Sequence, residues 1–194
     1  MIMPAGRSCF CQQLVAKNCL DLRKWLFYPG MLFGSMDKWW GSGGTRVTPH
    51  EGVDICFYRS LSDSVQTLGP GTLIPVLHEG QIVRIVDDFL GRTVFIRHPR
   101  HEEENRELYS IYGHIRPKDD LCPGLQVRAG DSIGSLAASL KRTSAPPHLH
   151  LSAALISKTF PKEKLGWNAA DPDEKILFIN PMTLIDCDYD ILTP

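Results

Sequence analysis

No run of apolar residues in this 194-residue chain approaches the ~20 that a membrane-crossing helix requires, so no spanning segment is expected. Charge of neither sign dominates. The 21 Lys and Arg residues against 22 Asp and Glu leave a formal net charge of -1, which gives no polybasic surface for nucleic acid or anionic lipid. The opening MIMPAGRSCFCQQLVAKNCLDLRKWLFYPG has no uninterrupted apolar stretch behind a basic start, so it does not read as a secretory signal. Internal repeats and low-complexity tracts are missing, and beyond the first 45 residues there is little helical periodicity. Cysteine is present but poorly arranged for a metal knuckle, because Cys9 and Cys11 lack the usual two-residue spacer. Cys19, Cys56, Cys122 and Cys187 are scattered, and reduced, partly buried thiols are expected rather than a disulfide framework.

The remaining composition, 43% hydrophobic and 22% charged, is that of an ordinary soluble globular domain. Two regions differ in texture. Residues 1–45 form an N-terminal arm, in which Cys11, Leu14, Val15, Cys19, Leu22 and Leu26 predict one amphipathic helix over 9–27. A Gly- and aromatic-rich stretch follows, with Trp39 and Trp40 suited either to line a groove or to anchor the arm. Gly41 to Gly44 would let that stretch fold across a binding groove, an autoinhibitory arrangement that deletion of residues 1–44 would relieve. From residue 46 to 194 the texture is β, with short Val, Ile, Leu and Phe runs broken by Gly, Pro and Asp. Strands are predicted at His50–Tyr58, Leu73–Val76, Gly80–Asp87, Thr93–His98, Leu108–His114, Ser132–Leu136 and His148–Leu155. The fold class is therefore mainly β, an antiparallel sheet or sandwich with a short helical arm. The polar segment 98–107 reads as a solvated hairpin loop. His78 and His101 read as surface residues, and His98 as a cap on that hairpin.

Three histidine-bearing segments carry the chemistry. His50-Glu51-Gly52-Val53-Asp54 places an imidazole and a carboxylate four residues apart, on one face of either a strand or a helix, so both can reach one ion. In Pro147-His148-Leu149-His150-Leu151, strand alternation sends His148 and His150 to one face and the leucines to the core. Tyr112-Gly113-His114 adds a histidine at the end of a predicted strand.

In that order, H-x-x-x-D, Y-x-H and P-H-L-H resemble the motifs of lysostaphin/LytM-type zinc endopeptidases, which cut peptidoglycan peptides. The resemblance runs from about Thr48 to Ile185. It includes Gly80-Gln81-Ile82-Val83, the Val94–His98 strand, the Gly124–Gly134 turn and Asn180-Pro181. It implies the duplicated-hybrid-motif-like β fold of that family and one zinc ion per chain. By position it implies His50, Asp54 and His150 as metal ligands, with His114 and His148 as catalytic histidines beside them. Three ligands leave a fourth position for water, as a catalytic zinc needs. The substrate implied is a peptidoglycan peptide, and the compartment implied is periplasmic or extracellular, although no signal peptide is visible, which leaves a cytoplasmic location open. The Ser139–Pro146 loop lacks the family's glycines, which implies a different peptide preference. An alternative is a non-hydrolytic cell-wall-binding or regulatory module on the same fold. A carrier-domain reading of the Gly124–Gly134 turn lacks a suitably flanked lysine.

Overall fold

The computed structural model describes residues 7–103, 105–138, 145–167 and 174–193, with backbone alone at 100–103. A helix, α1 (Phe10–Asn18), is followed by β1 (Leu22–Phe27), β2 (Gly52–Ile55), β3 (Phe57–Ser60), β4 (Val65–Thr67) and β5 (Leu73–Pro75). Then come β6 (Gly80–Asp87), β7 (Arg92–Glu103), β8 (Arg106–Pro117), β9 (Gln126–Val127) and β10 (Ser132–Leu136). The last three are β11 (Leu149–Ser157), β12 (Ile176–Ile179) and β13 (Tyr189–Ile191). The architecture is mainly antiparallel β, the class expected. No helix among the described residues is long and apolar enough to cross a membrane.

The large sheet runs β12-β11-β8-β7-β6-β9, with β2 added to β11 and β10 pairing both β8 and β5. The small sheet has the order β13-β1-β3-β4, in which β1 and β13 are parallel. Alternation along β11 explains where the core sits. Leu149, Leu151, Ala153 and Leu155 face the main core, whereas Ala154 and Ile156 join a second cluster with Phe95, Tyr109 and Phe160. Residues of the same parity as Ala154, namely His150 and Ser152, are thereby directed away from the main core. In β2, Val53 and Ile55 likewise fill the main core, leaving Gly52 and Asp54 on the other face.

The helix expected over 9–27 stops at Asn18. Cys19 adopts a left-handed conformation (φ 49°) and its N–H returns to the Ala16 carbonyl. The Asn18 side chain then ties the helix end to β5, donating to the Leu73 carbonyl and accepting from the Leu73 N–H. Leu22–Phe27 is a strand because both its edges are taken, by β3 and β13. Apolar spacing of four residues fits a strand face as well as a helix face, and tertiary pairing decides between them. Phe10, Leu14, Trp25, Phe27 and Met31 are fully or almost fully buried in the same core as the sheet leucines.

The predicted strand His50–Tyr58 is divided at Cys56, with β2 in the large sheet and β3 in the small one. The polar 98–107 segment is largely strand rather than loop, since β7 reaches Glu103 and β8 resumes at Arg106. His98 is fully buried rather than capping a hairpin, and bonds the Glu79 carbonyl at 2.9 Å and Ser110 Oγ at 2.7 Å. His78 is half-buried with its ring edge-on to His98. The expectations for His101 and most of the Ser139–Pro146 loop lie outside the described side chains. All six cysteines are free. Burial pushes the Cys56 thiol up to about 12, and the Cys187 thiol together with burial pushes Cys11 up, so neither is a ready nucleophile.

Candidate metal centre

Antiparallel pairing of β2 with β11 makes Asp54 and His150 direct cross-strand partners. Their side chains emerge on the same face, and Asp54 Oδ1 lies 2.9 Å from His150 Nδ1. Just before β2, His50 turns its Nε2 to the same point, 3.2 Å from both Asp54 Oδ1 and His150 Nδ1. The close approach depends on Gly52. A Cβ there would meet Ser152 Oγ at 2.6 Å, the Leu151 carbonyl at 2.7 Å and His150 Nε2 at 2.8 Å.

The outward nitrogen of each ring is occupied. His50 Nδ1 bonds the Leu32 carbonyl at 3.2 Å and His150 Nε2 bonds Ser152 Oγ at 2.8 Å. A backbone carbonyl only accepts, so the His50 proton sits on Nδ1 and Nε2 is left with its lone pair inward. The three donors are buried and all within 4.8 Å of one another. Four ligands set tetrahedrally at ~2.0–2.1 Å from zinc stand about 3.3 Å apart. The observed 2.9–3.2 Å separations lie slightly inside that edge length. Two imidazoles and one carboxylate, each with an outer hydrogen bond, therefore fit a divalent borderline metal.

Asp54 is 2% exposed. Burial raises its carboxyl, but the imidazoles of His150 and His50 facing it outweigh that and hold it well below the usual range. Its Oδ2 faces the N-terminal segment, accepting from Trp39 Nε1 at 2.6 Å with Arg46 Nη2 at 3.6 Å.

Two further histidines complete the cluster. His148 Nδ1 donates to the Pro146 carbonyl at 2.9 Å, and its Nε2 is 3.9 Å from Asp54 Oδ1. Burial pushes this imidazole below its ordinary value. The His114 ring lies edge-on to His148 at 4.9 Å and is stacked on Trp167 at 5.5 Å and 1°. Although expected at a strand end, His114 lies inside β8, at a kink where φ is +64°. There the strand leaves β11 and takes up β10. The unusual backbone is compensated by Asp88, whose Oδ2 accepts the His114 N–H at 2.9 Å and whose Oδ1 accepts Nδ1–H at 3.2 Å.

All five residues singled out from sequence thus border one cleft of about 570 Å³, with Trp40, Phe89 and Trp167 among its walls. Sequence reasoning missed Asp88, Ser152 and Trp167. The alternation that paired His148 with His150 also reaches Ser152, so that residue was within range of the same rule. Asp88 announces itself only as an Asp-x-x-Gly turn, which holds Leu90 N and Gly91 N on Oδ1. Trp167 reaches the site through Thr93, donating to its Oγ1 at 2.6 Å.

A buried two-histidine, one-carboxylate cluster at the base of a cleft in an antiparallel sheet defines a β protein with a candidate mononuclear metal centre. No family model and no curated protein matches the sequence. Among solved structures, the chain is similar to the antimicrobial peptidase lysostaphin from Staphylococcus simulans. The identity is 18%, covering 92% of this chain and 53% of that one, with a TM-score of 0.52. LytU is similar at 18% identity over 77% of this chain and 78% of that one, with a TM-score of 0.46. The catalytic domain of the prophage-encoded M23 protein EnpA from Enterococcus faecalis gives 22% identity, 80% and 95% coverage, and a TM-score of 0.44. The fold is that of the lysostaphin-type peptidases, and the chain spans about half the length of lysostaphin.

Proposed function

We propose that this chain is a zinc-dependent endopeptidase hydrolysing peptide bonds, with the cross-links or stem peptides of peptidoglycan as substrate. His50, Asp54 and His150 are the metal ligands in this reading. The observation that carries it is the convergence of three buried donors at 2.9–3.2 Å. A zinc ion held there would polarise the scissile carbonyl and lower the pKa of its water to ~7.

The chain's own residues supply the proton handling. His148, whose imidazole burial shifts toward the neutral form, donates Nδ1–H to the Pro146 carbonyl and so offers Nε2 as an acceptor beside the metal ligands. His114 has its Nδ1–H committed to Asp88, which leaves the Nε2 lone pair for the cleft, where it can take a proton from the attacking water; the imidazolium so formed can hold a developing oxyanion and return that proton to the leaving amine. Trp167 stacked on His114 shields it from water on one face. One carboxylate among the ligands leaves a zinc site at net +1, preserving its Lewis acidity.

The test is zinc content of wild type and His150→Ala, paired with release of peptides from isolated peptidoglycan. About one zinc per wild-type chain, lost together with hydrolysis in the variant, supports the enzyme. Stoichiometric zinc without release from any peptidoglycan would replace it with the binding-module reading. Wild type without zinc would overturn the metal centre.

A further inference from the structure

The carboxylate of Asp54 is divided between two parts of the molecule. The three histidines nearest it all meet Oδ1: His150 Nδ1 at 2.9 Å, His50 Nε2 at 3.2 Å and His148 Nε2 at 3.9 Å. Oδ2 meets groups from residues 36–46, the Trp39 indole N–H at 2.6 Å and the Arg46 guanidinium at 3.6 Å.

That segment is firmly seated. Lys38 N bonds Gly44 O at 2.8 Å and Arg46 N bonds Met36 O at 2.7 Å, closing a tight loop over the left-handed Gly43 and Gly44. Arg46 reaches back to the Gly30 and Asp37 carbonyls. Gly30 is required there, since a Cβ would meet Asp37 O at 2.8 Å and Trp39 N at 3.0 Å. The preceding turn is tied to His50 by Gly34 N to His50 O at 2.8 Å and His50 N to Ser35 O at 3.0 Å. Trp39 itself is fixed by edge contacts to Phe57 at 5.8 Å and to His148 at 5.1 Å.

We infer that Trp39 is a positioning residue of the metal centre, pinning Asp54 so that a single oxygen faces the ion. A carboxylate free to swing would offer both oxygens and fill the fourth, substrate-facing position. A hydrogen bond on the outer oxygen removes that option and fixes the rotamer before metal arrives. The N-terminal segment is on this view a built-in part of the centre, with Lys38 and Trp40 among the walls of the cleft. The inference rests on the metal-centre reading of the preceding section.

The experiment compares Trp39→Phe with wild type, because phenylalanine keeps an aromatic ring against Phe57 and His148 but has no N–H. Zinc affinity is measured by competition with a chromophoric chelator, and the visible spectrum of the cobalt(II) form reports coordination number. Metal-free thermal stability is recorded beside both. The expectation is zinc affinity weaker by about 10–100-fold, and weaker cobalt visible bands as the carboxylate becomes bidentate. Unchanged zinc affinity with an unchanged cobalt spectrum would overturn the role of Trp39 while leaving the metal centre standing. Should Trp39→Phe lose metal-free stability, Trp39→His, which restores an N–H donor on a smaller ring, decides the matter. Recovery of affinity supports the hydrogen bond, and affinity as low as in Trp39→Phe overturns it. Wild type that binds no zinc overturns both readings.

Discussion

Asp88 grips His114 twice, one carboxylate oxygen taking the backbone N–H at 2.9 Å and the other the ring Nδ1–H at 3.2 Å. The same carboxylate accepts from Leu90 N, Gly91 N and Thr93 Oγ1, so its orientation is over-determined. Through it the ring tautomer of His114 is set, and the left-handed backbone is held in place.

Asp88→Asn should therefore lower kcat on the order of 10²-fold, the scale of one general acid–base contribution. An amide in that position can present its NH2 to Nδ1 and favour the wrong tautomer. Zinc content should stay at the wild-type level, since Asp88 is bonded to none of His50, Asp54 and His150 in the contacts described. A kcat equal to wild type would exclude Asp88 from the mechanism.

The same variant should change the response to acid. Burial raises the Asp88 carboxyl, but hydrogen bonds from the His114 ring and backbone outweigh it, and the group titrates below its ordinary range. An unfolded aspartate titrates near about 3.9. A depressed folded value contributes stability that is fully present above that pH and is lost as pH falls through the folded pKa. Thermal midpoints of the metal-free protein between ~pH 5 and pH 3 should fall less steeply in Asp88→Asn than in wild type. Parallel curves would show that the carboxylate contributes nothing on this limb.

The site was more legible in sequence than the fold around it. His148 and His150 border the same cleft, as alternation in that segment predicts, while Leu149 and Leu151 fill the core, although the strand itself begins at Leu149, not at His148. Asp54 and His150 are ninety-six residues apart in sequence number, and their cross-strand pairing is a tertiary fact that spacing alone does not contain. The kink at His114 was invisible for the same reason, since Asp88, on another strand's exit turn, is what makes a left-handed histidine tolerable. The helix expected over 9–27 failed where Leu22 and Leu26 satisfied helical and strand periods alike. Strands of two to four residues, such as β4, β9 and β13, carry too few residues for any period to register.

Gly52, between His50 and Asp54, tests how tightly the cluster is built. Gly52→Ala would set a methyl 2.6 Å from Ser152 Oγ and 2.7 Å from a main-chain oxygen. Overpacking of this kind costs about 1–3 kcal/mol, and relief requires β2 and β11 to part where they carry Asp54 and His150. Loss of zinc together with a lowered thermal midpoint is expected. A variant that binds zinc normally would mean that the two strands can separate without disturbing the donors.

Ser152 is predicted to act on the metal through His150. Its Oγ lies 2.8 Å from Nε2, where it can accept the Nε2–H of the tautomer whose Nδ1 is free for a metal. Ser152→Ala removes this partner and should weaken zinc binding by about 10-fold or more. Chelator competition measures this directly, and Ser152→Thr, which retains the hydroxyl, should recover part of the loss. Equal affinity in Ser152→Ala and wild type would show that the tautomer is set elsewhere.

Removal of residues 1–44 separates two views of the N-terminal segment. Were it a cover over the groove, its deletion would raise hydrolysis. The structure makes the opposite outcome the expected one. Phe10, Leu14, Trp25, Leu26, Phe27 and Met31 are each at most 1% exposed, and burying such a side chain is worth about 1.5–3 kcal/mol. Losing six of them exceeds or consumes the ~5–15 kcal/mol by which a domain is stable. Deletion also strips β3 and β13 of their shared partner and takes the Trp39 hydrogen bond from Asp54. The truncated chain should lack a cooperative thermal transition and should bind no zinc stoichiometrically. A folded, zinc-loaded fragment with higher activity would instead show that the segment is a removable inhibitor, and would count equally against the role assigned to Trp39.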